Sequence, residues 1–170
     1  RMTDQKDQML ILKSLYNLKN KIKFKFLILG KGTNYSKLHK YVIDNNLKNE
    51  IKLIGFKSNP YPYIKASNIF ILSSKYEGLP NVLLEAQYLK KFIISTDCPT
   101  GPKEILLSGK AGSLIKVGNQ KQLEKKILFY YNNKNSLIIK NKIKRGKQSM
   151  KRFDFDLNCN KYYKTVIKHL

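Results

Sequence analysis

The sequence predicts an α/β protein with a doubly wound parallel sheet, in which helices cover both faces. Short, largely apolar runs alternate along the 170 residues with longer segments whose apolar residues recur near the helical period. Apolar runs without polar alternation are typical of parallel strands that are covered on both sides. Strand–helix repetition of this kind specifies the fold class, and it places ligands at the carboxyl ends of the strands.

The first half of the chain contains three predicted strands, at 24–29, 51–54 and 69–72, each preceded by a helix. The helices are predicted at 4–20, 35–46 and 61–67. The first helix is indicated by apolar residues near a 3.6-residue spacing, namely Met9, Leu12, Leu15, Tyr16 and Leu18. The first strand ends in Gly30-Lys31-Gly32 and the second in a turn at Gly55. The third strand is entirely apolar, so we expect it to be buried on both faces.

The second half continues the alternation. Pro80 opens a helix, and strands follow at 92–95 and 113–115. The loop between these two strands contains Pro99, Gly101 and Pro102 and leads into one helical turn at 104–107. Three more helices are predicted at 120–133, 136–150 and 157–168. The chain shows no repeat and no low-complexity linker, so we expect residues 1–170 to form one domain.

Composition excludes several classes of protein. A hydrophobic content of 42% indicates a globular fold, and no apolar run approaches the roughly 18 residues of a membrane-spanning helix. Cys98 and Cys159 are the two cysteines of the chain and lie far apart. Two distant cysteines predict free thiols in a reducing compartment, not a disulfide framework.

The net charge of +23 invites a nucleic-acid or membrane interpretation. Almost all of this charge is lysine, accompanied by abundant asparagine and isoleucine, a bias that an AT-rich coding sequence produces without a functional cause. We therefore interpret most of it as solvated surface. A weak attraction to anionic lipid head groups, about 1 kcal/mol per well-placed basic residue, stays open. The tyrosines form no aromatic platform on strands, which argues against single-strand nucleic-acid binding.

The stretch from Ser73 to Ala86 follows the apolar strand and carries the strongest functional signal. Pro80 suits the first position of a helix, and Leu79 before it has no oxygen with which to cap the first N–H groups. Those groups and the positive end of the helix dipole are then available to an anion such as a phosphate. Glu77 and Glu85 bracket this helix start with seven residues between them. A plain loop-to-helix turn with two unremarkable glutamates explains the same pattern, so both interpretations stay open here.

Other local motifs predict no cofactor and no metal. Gly30-x-Gly32 after a strand is similar to a dinucleotide fingerprint, but Tyr35 stands where the third glycine belongs. A simple strand-to-helix turn is the better interpretation, although its N–H groups could still contact a phosphate. His39 and His169 have no partner at metal-ligand spacing, and the cysteines form no C-x-x-C pair. The sequence also lacks a G-x-S-x-G elbow and a Walker loop.

The segment Glu77-Gly-Leu-Pro-Asn-Val-Leu-Leu-Glu85-Ala resembles the E-x7-E motif of the retaining GT-B glycosyltransferases of family four. The resemblance runs through the whole chain. Arg1-Met-Thr-Asp-Gln-Lys6 is similar to the G-R-L-x-x-x-K opening of that family's donor domain, and Leu29 to Gly32 is similar to its glycine loop. Further similar segments are Ile54-Gly55-Phe56, Asn68 to Ser74, Ser95 to Leu106 and Gly112 to Ile115. The implied fold is a Rossmann-like sheet that forms one half of a GT-B enzyme.

The resemblance also implies roles for individual residues. Arg1 and Lys6 would pair with the donor diphosphate, Glu85 would accept the ribose hydroxyls, and Glu77 would lie near the donor sugar as the catalytic carboxylate. The N–H groups around Gly78 to Asn81 would hold the distal phosphate. The donor-binding residues implied in this way are Arg1, Lys6, Gly30, Gly32, Gly78, Leu79, Pro80, Asn81 and Glu85.

The implied activity is transfer of a sugar from a nucleotide donor, with UDP favoured, with retention of configuration and without a bound metal. Parts of the chain are similar to family members that build bacterial surface polysaccharides, so the expected acceptor is a saccharide or a lipid-linked saccharide. The family binds that acceptor in an N-terminal domain that residues 1–170 do not contain. We therefore expect the donor half of a cytoplasmic enzyme, peripheral at the inner face of the membrane, with no nucleic-acid partner.

Lys90-Lys91 departs from the family, which often has a small glycine before its next strand.

Two alternative functions stay open. A related GT-B protein that transfers nothing, such as a nucleotide-sugar epimerase, would fail to label an acceptor in the full-length protein. A basic nucleic-acid-binding module would show steeply salt-dependent binding to DNA or RNA that is tighter than binding to UDP.

Overall fold

The computed structural model describes residues 1–168 of the 170-residue chain. Five strands alternate with eight α-helices in these residues. The strands are β1 Phe26–Leu29, β2 Ile51–Gly55, β3 Ile69–Leu72, β4 Phe92–Thr96 and β5 Ser113–Ile115. The helices are α1 Gln8–Leu18, α2 Tyr35–Asp44, α3 Tyr61–Ala66, α4 Asn81–Tyr88, α5 Pro102–Ile105, α6 Gln120–Asn133, α7 Leu137–Ser149 and α8 Phe155–Ile167, with a 3₁₀ turn at Met150–Phe153 between the last two.

All strand pairs are parallel, which confirms the predicted fold class. β1 pairs with β2, and β4 lies between β3 and β5. The strands thus form two hydrogen-bonded groups, and no ladder within residues 1–168 joins β1 to β3. Side-chain packing connects the groups instead, because Ile28 of β1 and Ile69 and Ile71 of β3 belong to the same hydrophobic cluster.

Helices cover both faces of the three-stranded group. Phe92 and Ile94 of β4 point into the larger core with α1, α2 and α6, whereas Ile93 points into a second core with α3, α4 and α5. Every residue of β4 is buried. The prediction that 69–72 is buried on both faces is wrong for all but Leu72, because β3 lies at the edge of its group while β4 occupies the middle.

Several helix boundaries differ from the predictions for local reasons. α1 begins at Gln8 instead of residue 4, because residues 3–6 form a turn in which the Lys6 N–H bonds the Thr3 carbonyl, at 3.0 Å. α5 begins at Pro102, two residues earlier than predicted, since a proline fits the first turn of a helix. α8 runs from Phe155 to Ile167, so it begins two residues earlier and ends one residue earlier than predicted, whereas His169 lies outside the described residues.

None of the helices within residues 1–168 combines the length and apolar character that crossing a bilayer requires.

Asp7 precedes α1 in a left-handed conformation, with φ 42° and no side-chain cap. Burial raises the pKa of its carboxyl group, although Lys75 opposes this shift. A carboxyl whose pKa is raised by folding binds its proton more tightly in the folded state, so its charge costs stability at neutral pH and the cost falls as the pH falls.

We therefore expect Asp7→Asn to raise the free energy of unfolding by up to about 1 kcal/mol at about pH 7, with a smaller gain at about pH 4. Asparagine also tolerates the left-handed conformation. Denaturant unfolding at the two pH values measures the difference. Asp44→Asn is the matched control, because Asp44 is exposed and its only ion pair within residues 1–168 is with Lys40 on the surface. Equal effects of the two substitutions would contradict the account of Asp7.

Candidate functional site

The N-terminal segment, residues 1–7, runs past the carboxyl ends of β1 and β3. The Met2 N–H bonds the Lys31 carbonyl at 2.8 Å, and the Lys75 N–H bonds the Gln5 carbonyl at 2.8 Å. Met2 is fully buried and anchors the segment in the larger core. The segment therefore brings Arg1 and Lys6 to the edge of the fold where the predicted site lies.

The two glycines after β1 make room for this segment. A Cβ at Gly32 would lie 2.1 Å from the Met2 carbonyl oxygen, and one at Gly30 would lie 3.4 Å from the Arg1 nitrogen. Real Cβ atoms do not approach a backbone oxygen as closely as 2.1 Å, so Gly32 is required by the backbone that crosses it. The packing of the N-terminal segment against Gly30 and Gly32 thus explains both glycines without a ligand.

Lys6 and Glu77 form an ion pair at the centre of the site. Lys6 Nζ lies 2.5 Å from Glu77 Oε1, and Ser74 Oγ donates to the same oxygen at 2.5 Å. The Glu77 side chain is 8% exposed and that of Lys6 is 24% exposed. Since the pair is largely withdrawn from water, its charges are weakly screened and hold the loop after β3 in one arrangement.

The loop after β4 holds the Glu77 backbone from the other side. The Glu77 N–H bonds the Pro99 carbonyl at 2.7 Å, and the Thr100 N–H bonds the Glu77 carbonyl at 2.8 Å. Gly101 lies directly against the turn, because a Cβ there would be 2.4 Å from the Gly78 oxygen and 2.7 Å from Pro80 Cδ. The conformation of residues 77–80 is therefore fixed by a neighbouring loop as well as by its own sequence.

α4 begins at Asn81, with Pro80 in the capping position, so the predicted helix start is one residue too early. No side chain caps the helix, as the sequence predicts. Within residues 1–168 the N–H groups of Gly78, Leu79, Asn81 and Val82 have no hydrogen-bond acceptor. Pro80 has no N–H and can contribute only shape. Four free N–H groups at a helix start form an arrangement that suits a phosphate.

Glu85 lies within α4 and is half-buried between the buried residues Leu83, Ala86 and Gln87. Its carboxylate makes no hydrogen bond or ion pair to any residue of 1–168. Glu85 stands one turn after the start of α4, and a carboxylate without a partner among residues 1–168 is available to accept hydrogen bonds from a ligand hydroxyl.

The structure thus brings Arg1, Lys6, Gly30, Gly32 and Glu77 to one edge of the fold, and the backbone connects them to the start of α4 and to Glu85. Arg1 is exposed, and its carbonyl accepts a hydrogen bond from Gln8 Nε2 at 2.6 Å.

Sequence reasoning missed three residues that hold the site, namely Ser74, Thr100 and Gly101. Ser74 stands three residues before Glu77, but a serine at that spacing has no signature that marks it as a carboxylate partner.

A reactive thiol and a metal centre are two further possibilities for this edge of the fold, and the described residues support neither. Burial raises the pKa of the Cys98 thiol, which makes it a poor nucleophile. Within the described residues no three His, Cys, Asp or Glu side chains lie close enough to hold a metal ion.

Comparison with known proteins identifies the fold and the family. The parallel α/β fold is that of the Rossmann-like domains of GT-B glycosyltransferases. The Anabaena HepE structure in complex with UDP superposes on all of this chain with a TM-score of 0.86 at 19% identity. The family model of the group 1 glycosyl transferases matches residues 1–148, and the chain belongs to that family.

Two relatives illustrate the range of the family. An uncharacterized glycosyltransferase of Methanocaldococcus jannaschii is 43% identical over 107 residues, which are 62% of this chain and 26% of the relative. The Campylobacter jejuni N-acetylgalactosamine-N,N'-diacetylbacillosaminyl-diphospho-undecaprenol 4-alpha-N-acetylgalactosaminyltransferase is 29% identical over 123 residues, 72% of this chain and 33% of that protein. HepE is covered to 47%. The chain thus spans from about a quarter to about half of the proteins it matches.

Proposed function

We propose that residues 1–170 form the donor-binding half of a glycosyltransferase that takes a sugar from a UDP-sugar with retention of configuration. The observation that carries the proposal is the Lys6–Glu77 pair beside the four free N–H groups at the start of α4. A cation, a carboxylate and a helix N-terminus at one edge match what a nucleotide diphosphate-sugar presents: phosphate charge and sugar hydroxyls.

Phosphate stabilisation is assigned to Arg1, Lys6 and the N–H groups from Gly78 to Val82. In sugar transfer the nucleoside diphosphate leaves with its electron pair, so negative charge grows on the phosphate oxygen that was bonded to the sugar. Fixed N–H groups, the α4 dipole and two basic side chains stabilise that charge without having to reorganise. Glu85 is assigned to the ribose hydroxyls and Glu77 to the donor sugar, as the family motif implies.

The acceptor is proposed to be a saccharide, free or lipid-linked, bound by a part of the protein outside residues 1–170. Support comes from the C. jejuni relative, whose name specifies a diphospho-undecaprenol acceptor. Such acceptors lie at a membrane, and a net charge of +23 would favour approach to an anionic bilayer. We accordingly propose a cytoplasmic enzyme that is peripheral at the inner face of the membrane.

The phosphate assignment predicts that Lys6→Ala and Arg1→Ala each weaken UDP binding by about tenfold and leave uridine binding within about twofold, because phosphate is the one part of the ligand to which both side chains are assigned. Calorimetry with the two ligands measures this difference. Lys48→Ala removes the same charge from an exposed position outside the site and serves as the control. If the substitutions weaken uridine binding as much as UDP binding, the lost interaction is not with phosphate.

In this proposal the donor site lies in residues 1–170, whereas the acceptor site and closure of the cleft belong to the rest of the protein. We therefore expect the isolated chain to bind a UDP-sugar weakly and to transfer nothing. A radiolabelled UDP-sugar assay compares the chain with the full-length protein, and NMR of the product anomeric proton reports retention or inversion. Transfer by residues 1–170 alone would show that this chain carries an acceptor site of its own.

A further inference from the structure

Ser74 contacts the Glu77 carboxylate, and neither the sequence motifs nor the family resemblance assigns it a role. It lies two residues after Leu72, the last residue of β3, and is fully buried. Its Oγ donates to Glu77 Oε1 at 2.5 Å. A hydroxyl that donates to a carboxylate makes a charge-assisted hydrogen bond, which is stronger and more directional than a neutral one.

Ser74 is itself held in place by β4. Thr96 is fully buried at the end of that strand, and its Oγ1 donates to the Ser74 carbonyl at 2.6 Å. Leu72, the last residue of β3, and Ser95, the residue before Thr96, are direct partners in the parallel ladder. The backbone of Ser74 is therefore fixed by the sheet, and its short side chain places the hydroxyl at the Glu77 carboxylate.

The adjacent serine fixes the other member of the ion pair. Ser73 is buried, and its Oγ donates to the Lys6 carbonyl at 2.7 Å. Consecutive serines thus hold the backbone of the cation and the carboxylate of its partner. The two attachments differ in kind, because Ser73 holds only the backbone of Lys6 whereas Ser74 holds the Glu77 carboxylate itself.

A bound diphosphate would compete with Glu77 for the Lys6 ammonium group. Lys6 Nζ and Ser74 Oγ share Oε1 of Glu77, and phosphate oxygens would draw the lysine away from that oxygen. The Ser74 bond then remains to keep the carboxylate in position. We propose that Ser74 is a positioning residue that holds Glu77 toward the donor sugar once Lys6 has turned to the diphosphate. This inference rests on the proposed donor function.

The test is calorimetry on the 170-residue chain with UDP and with four UDP-sugars, those of glucose, galactose, N-acetylglucosamine and N-acetylgalactosamine. We expect Ser74→Ala to leave UDP affinity within about twofold and to weaken the tightest-binding UDP-sugar by about tenfold. Ser74→Thr restores a hydroxyl and should recover most of the loss. Thr96→Val removes the bond that aims Ser74 at nearly constant volume, and it should show a smaller loss in the same direction.

Ser67→Ala is the matched control, because Ser67 Oγ also donates a hydrogen bond, to the Ile64 carbonyl, but lies at the end of α3, outside the site. Circular dichroism melting shows whether each variant is folded. If Ser74→Ala does not fold, the comparison of Thr96→Val and Ser74→Thr with the parent decides.

The outcomes separate the inference from the function on which it rests. A parent chain that binds none of these nucleotides overturns the proposed function and the inference with it. A parent that binds UDP, together with Ser74→Ala and Thr96→Val chains that bind every UDP-sugar as the parent does, overturns only the role of Ser74. The same holds if no UDP-sugar binds the parent more tightly than UDP, because Glu77 then contacts no sugar.

Discussion

Glu85→Ala is expected to weaken binding of both UDP and uridine by about ten- to a hundredfold. Hydrogen bonds to a charged group contribute about 1.5–3 kcal/mol, and the Glu85 carboxylate has no partner within residues 1–168 that would offset its loss. Uridine should be affected as strongly as UDP, because the proposed contact is to the ribose that both ligands share. Calorimetry with each ligand measures the two ratios.

Glu50→Ala is the control for this substitution. Glu50 is a half-buried glutamate just before β2, at the opposite end of the strands, and its carbonyl serves only the Phe26 N–H. Glu77→Ala provides a second comparison, since it should leave UDP binding nearly unchanged and reduce transfer by the full-length protein. If Glu85→Ala binds uridine and UDP like the parent chain, the E-x7-E assignment fails here and the start of α4 is a structural turn.

Gly101→Ala is expected to disrupt the site although Gly101 touches no ligand in this account. Its φ is +90°, and an added Cβ would lie 2.4 Å from the Gly78 oxygen and 2.7 Å from Pro80 Cδ. The loop of residues 77–80 must then move, which displaces the free N–H groups that we assign to the phosphate. We expect a loss of about 2–4 kcal/mol in the free energy of unfolding and a loss of at least about tenfold in UDP affinity.

Gly109→Ala separates backbone strain from this clash. Gly109 has nearly the same φ, +89°, but a Cβ there would meet no atom within 4 Å. Its substitution should cost only the strain, about 1–2 kcal/mol, and leave UDP affinity unchanged. Denaturant unfolding and calorimetry on both variants give the comparison. Equal effects on UDP affinity would mean that the contact between Gly101 and the 77–80 turn does not support the site.

The strands and most helices could be predicted from sequence because the apolar pattern is local and strong. Ile69–Leu72 and Phe92–Thr96 are recognisable as buried strands without knowledge of their neighbours. Which of the two is central cannot be read in this way, because β3 is the more apolar strand and yet the strand order makes β4, which ends in Ser95 and Thr96, the covered one. The start of α1 was missed because a turn and a left-handed Asp7 interrupt a segment whose apolar spacing continues the helical pattern.

The candidate site likewise has parts that the local sequence predicts and parts that it does not. The uncapped start of α4 depends on adjacent residues and was predicted to within one position. The ion pair joins Lys6 to Glu77 across 71 residues, and the bond from Thr96 to Ser74 spans 22. No local pattern contains such contacts. The family resemblance supplied Lys6 and Glu77 as separate ligand contacts, whereas the structure shows them bound to each other.

Calorimetric titration of the unmodified 170-residue chain with UDP and, in parallel, with uridine shows whether this edge of the fold binds a nucleotide diphosphate. We expect UDP to bind with a dissociation constant on the order of 0.1–1 mM and at least about tenfold more tightly than uridine, because Lys6, Arg1 and the N–H groups at the start of α4 act on the phosphates. Equal affinities for uridine and UDP, or no UDP binding at about 10 mM, would contradict the assignment of this edge as a nucleotide-diphosphate site.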